Sequence, residues 1–172
     1  MLSNFQVLIV MGILLVLLIG FVALPASKKI VRKSYIDATP ENVYNLLVST
    51  EGFQTFNPYK DSDSNLKIMP FGPATVVGAG FKFNGKEGTQ TIVDLKENEF
   101  VIMEIDLGSM GKPKQTLFLS AKDKGTLVTW QVEMTFGVNP IGRLFGLFAD
   151  GVLGKTYELG LTKMSSALLF TK

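Results

Sequence analysis

One stretch constrains this chain before anything else does: Val7–Leu24, eighteen residues without a charge, with Lys28, Lys29, Arg32 and Lys33 close behind. Wound as a helix, it is about 27 Å long, the hydrocarbon thickness of a bilayer. Pro25 cannot continue that helix and marks its end. A secretory leader has an apolar core of about 7–15 residues, a basic start and small residues at the cut. Here Met1–Gln6 carries no Lys or Arg, and proline sits beside the bond in Leu24-Pro25-Ala26. The stretch therefore reads as an uncleaved single-pass membrane anchor over residues 1–26, followed by a basic juxtamembrane linker over residues 27–33. Of the seventeen positive residues, four lie just after the span and none precedes it, which by the positive-inside rule sets the C-terminal domain on the cytoplasmic side. Lys28, Lys29, Arg32 and Lys33 would then face anionic lipid headgroups.

Beyond residue 33 lie 139 residues, enough for one domain with its own core, expected over residues 34–172. Thirteen basic against fifteen acidic residues leave this part at −2, so the whole-chain charge of +2 is the flank of the apolar run. No basic patch interleaved with aromatics exists, which argues against a nucleic-acid partner. The chain has neither cysteine nor histidine. Disulfides, thiolate or imidazole metal sites, Cys nucleophiles and Ser-His-Asp arrangements all fall away together. Asp61-Ser62-Asp63-Ser64-Asn65 alternates oxygen side chains but lacks the glycine and late glutamate of a calcium loop, so it reads as a solvated turn. No cofactor or metal is expected.

Lys29–Ile36 reads as a first strand. Thr39-Pro40-Glu41 starts a helix, with Thr39 as N-cap, proline at the first helical position and an acid in the first turn. Val43, Leu46 and Leu47 give it an apolar face, and Glu51–Phe56 adds a short second helix ended by Asn57-Pro58. From Leu66 to Phe136 strands are expected, parted by turns at Asn84-Gly85, Glu97-Asn98, Gly108–Lys112 and Asp123–Gly125. Val101, Met103, Ile105 and Leu107 alternate with Ile102, Glu104 and Asp106; Val128, Trp130, Val132, Met134 and Phe136 alternate with Thr129, Gln131, Glu133 and Thr135. Each is the pattern of an antiparallel sheet covered on one side. Glu104, Asp106 and Glu133 fall on the wetter face, as solvated surface.

Asn139-Pro140 opens a helix that runs to about Leu169. Ile141, Leu144, Phe145, Phe148, Val152 and Leu159 share one face; Gly142, Gly146, Leu153, Gly160 and Met164 share the next. A helix so apolar is expected to be covered on more than one side. Its five glycines each cost about 1 kcal/mol against alanine, a loss that close approach of a wrapping sheet would explain. Gly78-x-Gly80 lacks the strand–turn–helix context of a nucleotide loop and reads as turn and strand.

Strand, two short helices, a run of antiparallel strands and one long helix is a suggestive order, and particular stretches sharpen it. These are Ile36-Asp37-Ala38-Thr39-Pro40-Glu41-Asn42-Val43-Tyr44, Phe56-Asn57-Pro58-Tyr59, the GAGFKFNG of Gly78–Gly85, Gly88–Ile92, Thr129-Trp130 and Asn139-Pro140-Ile141-Gly142-Arg143-Leu144. Over about residues 29–170 the chain resembles the polyketide cyclase/dehydrase-like branch of the START/birch-pollen-allergen superfamily of helix-grip (SRPBCC) proteins. Phe56 and Tyr59 stand where such proteins often carry two tryptophans around a proline. The resemblance implies an α+β helix-grip fold, a curved antiparallel sheet wrapped around a long C-terminal helix, with an apolar cavity between them. Here one transmembrane helix precedes it.

Cavity candidates follow. Phe53, Phe56, Tyr59, Phe81 and Phe83 are placed at the mouth, and Met103, Trp130 and Met134 along the strand walls. Phe145, Leu153 and Tyr157 come from the long helix. Met69, Met110 and Met164 join Met103 and Met134 as adaptable lining. Tyr59 or Tyr157 could polarise a substrate carbonyl. The expected function is membrane-anchored binding of a small hydrophobic or amphipathic, lipid-like ligand. The alternatives are a cyclase or dehydratase working without metal or covalent nucleophile, and a membrane-tethered module that holds a protein partner.

Overall fold

The computed structural model describes residues 4–61, 63, 65–83, 88–108 and 111–169. Helix α1 (Asn4–Ala23) is followed by β1 (Ser27–Ile36), α2 (Pro40–Val48), α3 (Thr50–Phe56) and a 3-10 turn at Pro58–Asp61. Strands β2 (Ile68–Phe71), β3 (Gly80–Phe83), β4 (Gly88–Lys96), β5 (Phe100–Asp106), β6 (Lys114–Lys122) and β7 (Gly125–Thr135) lead to α4 (Pro140–Leu169). Ser62 and Ser64 of the expected acidic turn, the turn residues Asn84 and Gly85, and Met110 lie outside the described residues.

Local chemistry sets the boundaries. The Thr39 hydroxyl accepts from the Asn42 N–H (3.3 Å) to open α2, and the Ser49 hydroxyl accepts from Gly52 (2.8 Å) to open α3. The Asn139 side chain accepts from the N–H groups of Ile141 and Gly142, with Pro140 at the first position of α4. All seven strands form one antiparallel sheet in the order β1-β7-β6-β5-β4-β3-β2. Long β1 lies along β7 from Ser27↔Thr135 to Ile36↔Thr126. The β4–β5 register shifts between Ile92 and Asp94, a bulge that bends and twists the sheet. β5 and β7 bury alternate residues as their sequences anticipate, and α2, α3 and α4 cover the buried face.

Among the described residues, α1 is the helix long and apolar enough to cross a membrane, and none of it is buried within the protein. The basic residues 27–33 are not a linker. They form the first part of β1, because β7 offers them a full ladder of hydrogen bonds starting at Thr135. Only Leu24, Pro25 and Ala26 separate α1 from the sheet.

Helix α4 also departs from expectation. In its first half the residues turned to the protein are small, namely Gly146, Ala149 and Gly154; in its second half they are Tyr157, Leu161, Met164 and Leu168. The glycines admit side chains, not backbone: a Cβ at Gly146 would strike Phe136, one at Gly154 would strike Arg32, and one at Gly160 would strike Trp130. The face holding Ile141, Leu144, Phe148 and Val152 is exposed, since the single concave sheet reaches only the opposite side of the helix.

Candidate functional site

Strand alternation sends Val132, Met134 and Phe136 toward α4, and the side chains between sheet and helix do not fill the space beside them. The result is a cavity of about 750 Å³. Phe53 of α3, Tyr59 of the 3-10 turn, Phe81 and Phe83 of β3, and Leu153 and Tyr157 of α4 complete its apolar wall. Its exposed lining residues, Lys112, Thr135, Asn139, Ile141 and Phe145, sit together where β5 turns into β6 and α4 begins. The mouth is therefore at the start of α4.

Eight sequence candidates border this space: Phe53, Tyr59, Phe81, Phe83, Met134, Phe145, Leu153 and Tyr157. Phe56, Met103 and Trp130 do not. Phe56 is fully buried between Phe53 and Trp130, with ring centroids 4.7 and 6.0 Å away. Met103 borders only a void of about 20 Å³ beneath α2. Trp130 is core, its ring 5.2 Å from that of Tyr157. Met69 is exposed and Met164 is buried core.

Two polar devices stand in this apolar setting. Tyr59 and Tyr157 bring their hydroxyls within 3.2 Å, and both line the cavity. Burial holds the Tyr157 hydroxyl far above its usual range, and Tyr59, as a neighbouring charge and hydrogen-bond partner, pushes it the same way. Burial also raises Tyr59, with the bond to Tyr157 opposing. Both remain protonated at ordinary pH. One hydrogen bond joins them and uses one of two O–H protons, so the other is free to donate to a guest.

The second device is a chain of amides behind the wall. Trp130 Nε1 donates to Gln115 (3.1 Å), Gln115 Nε2 donates to Gln90 (2.8 Å), and Gln90 Nε2 donates to Met103 Sδ (3.0 Å). Gln90 also borders the cavity. The sequence reading missed Gln90 and Gln115, although both share a strand face with buried residues, Gln90 with Ile92 and Gln115 with Leu117. It missed Leu66, Ile68, Ile105 and the rim residues Leu107, Gly111, Lys112 and Pro113 as well. Ile105 was legible from the β5 alternation; the others come from connections or a short edge strand.

Charged residues stay outside, apart from Lys112 at the mouth. Asp106 accepts from Lys112 (2.7 Å), which holds its carboxyl below the usual range, with the Gly108 N–H adding to the effect. Glu133 pairs with Lys29 across the outer face (3.4 Å). Arg32 reaches Glu158 (2.6 Å) and Asp150 (3.0 Å) on α4, so this side chain ties β1 to the helix and is not turned to headgroups.

The family model described as polyketide cyclase / dehydrase and lipid transport matches residues 27–168. The chain belongs to this family. Its helix-grip architecture recurs in solved structures of low identity. MLL2253 from Mesorhizobium loti is 16% identical with a TM-score of 0.61, the alignment covering 84% of this chain and 99% of that one. Ara h 8.0201 is 17% identical with a TM-score of 0.60, covering 83% and 98%. Norcoclaurine synthase from Thalictrum flavum, in complex with dopamine and hydroxybenzaldehyde, is 14% identical with a TM-score of 0.61, covering 90% and 92%. No curated protein matches the sequence. At these identities the likeness of this polyketide cyclase/dehydrase and lipid transport family member to the solved structures establishes the helix-grip fold alone.

Proposed function

We propose that this protein, held at a membrane by α1, binds a small hydrophobic or amphipathic molecule between its sheet and α4. The carrying observation is the cavity: about 750 Å³, walled by aromatic and aliphatic side chains, within the range of about 300–1,000 Å³ typical of ligand sites. Each methylene taken from water into such a wall contributes about 0.8 kcal/mol. The free O–H proton of the Tyr59–Tyr157 pair selects for an acceptor on the guest, such as a carbonyl, hydroxyl or ether oxygen. The preferred ligand is thus a lipid-like body carrying a polar oxygen. A cyclase or dehydratase role is less well supported, because tyrosines kept neutral donate hydrogen bonds but do not abstract protons.

Native mass spectrometry of the full chain, extracted from its membrane in mild detergent, tests the reading. A discrete small-molecule adduct is expected, lost in the cavity-filling variant Met134→Trp/Leu153→Trp. An adduct that persists in that variant would be lipid clinging to α1, and no adduct at all would leave the cavity without a guest; either result counts against the proposal.

A further inference from the structure

The first half of α4 leaves large apolar side chains in the open: Ile141 is 79% exposed, Phe148 64%, Val152 58%, Leu144 53% and Leu147 49%. Among the described residues nothing covers them, and from Ile141 to Val152 they extend along about 16 Å of helix. Their position is what singles them out. Arg143, one turn into α4, donates from Nη1 to the backbone carbonyls of Phe21 and Leu24, each at 3.3 Å. Its guanidinium also stacks over the Phe21 ring at 4.5 Å, and its Nε donates to Gly137 O (2.7 Å). The Phe136 N–H donates to Ala26 O (2.8 Å). The last turn of α1 and the first turn of α4 are therefore clamped together.

We infer that the exposed face of α4, centred on Leu144, Phe148 and Val152, lies in the interfacial layer of the bilayer that α1 crosses. This rests on the reading of α1 as an anchor. Phe21 lies in the last turn of the apolar run, which ends at Leu24, so it sits near the boundary of the hydrocarbon, and Arg143 is held at that depth. An amphipathic helix at this level sinks its apolar face about 5–10 Å into the boundary between headgroups and acyl chains. Lys155, exposed beside Val152, can extend its stem along that surface and reach a phosphate. Ile141 and Phe145 belong both to this face and to the cavity mouth, so the mouth opens at the lipid surface and not into bulk water.

The chain has no cysteine, so single cysteines at Leu14, Phe148 and Ser120 carry a polarity-sensitive fluorophore cleanly. Ser120 is exposed and pairs with Leu127 beside Tyr35, eight residues along β1 from Ser27 and about 26 Å from the clamp. The full chain is placed in vesicles of phosphatidylcholine and phosphatidylglycerol, with and without lipids bearing nitroxides both near the acyl carbonyl, at the depth of Phe148, and near the end of the acyl chain, at the depth of Leu14. The labels at Leu14 and Phe148 are expected to be quenched about two-fold or more, and that at Ser120 not, as befits a helix at acyl-boundary depth. Val152→Cys repeats the measurement should Phe148→Cys fold poorly. Quenching at Leu14 without quenching at Phe148 and Val152 overturns the docking and leaves the anchor standing. No quenching at Leu14 overturns both. A shielded Phe148 label that no lipid quenches, with energy transfer between labelled copies, gives the face to a second copy and overturns the inference.

Discussion

Replacing Tyr59 and Tyr157 together with phenylalanine removes two oxygens from the cavity and changes almost nothing else. The pair is one hydrogen bond between neutral groups, and exchanging both partners for apolar groups of the same shape is nearly neutral for stability. The fold should hold, with a thermal midpoint close to wild type. Ligand selection should not hold. A guest oxygen loses one donor, about 0.5–1.5 kcal/mol, which is about 2- to 12-fold in Kd. A hydrocarbon of equal length loses nothing and gains slightly, because the wall becomes less polar. The assay displaces an apolar fluorescent probe from the full chain in lipid nanodiscs, using a long-chain alcohol, the matched ketone and the matched alkane. Wild type and variant are compared for the same ligand, so partition into lipid cancels. Lengthening each series should add about 0.8 kcal/mol per methylene, roughly four-fold, until the cavity is full. If alcohol and alkane weaken together, or neither changes, the hydroxyl pair has no part in recognition.

Three further outcomes follow from the geometry. Gln115→Leu strips the Trp130 indole N–H and the Gln90 carbonyl of their partner, and two orphaned buried groups cost about 2–5 kcal/mol; urea unfolding followed through Trp130, the single tryptophan, measures it. Gly154→Ala forces its new methyl against the Arg32 guanidinium held by Asp150 and Glu158. That costs about 1–3 kcal/mol against a helix-propensity gain of about 1, and thermal melts should show the loss shrinking in an Arg32→Ala background. At high pH, Tyr59 and Tyr157 stay protonated in the folded chain while unfolded tyrosines ionise near 10, so the folded state binds more protons. Stability is thus intact below about pH 10 and falls above it, and the fall should be shallower in the double phenylalanine variant.

Much of the fold is legible in the residues because each signal is local. Thr39-Pro40 and Asn139-Pro140 name their helix starts, and the alternation in β5 and β7 sorts inside from outside. α4 is harder. Periodicity separates its two apolar faces but does not say which one the sheet takes, and size decides: the concave surface accepts the glycine-rich side, so the bulky side remains outward. Trp130, Phe56 and Met103 look the same as cavity wall in the sequence, since core and pocket draw on the same residue types. Their depth relative to α4 depends on sheet curvature. The rim residues Leu66, Leu107, Gly111, Lys112 and Pro113 belong to connections whose path is set by that curvature. The strand over Lys29–Ile36 is legible, but its start at Ser27 is not, because the basic charges also read as a membrane flank and the partner strand lies about a hundred residues downstream in β7.

Three residues, Leu24, Pro25 and Ala26, join the apolar helix to the sheet, a leash of about 10 Å at full stretch. With α1 seated in a bilayer, the domain cannot roam. It would sample only the patch of leaflet at its own foot, and a guest of the proposed kind would arrive and leave by lateral diffusion within that leaflet. On the proposed reading, traffic to another membrane would require that membrane to come within one domain's width, the behaviour of a local custodian more than of a courier.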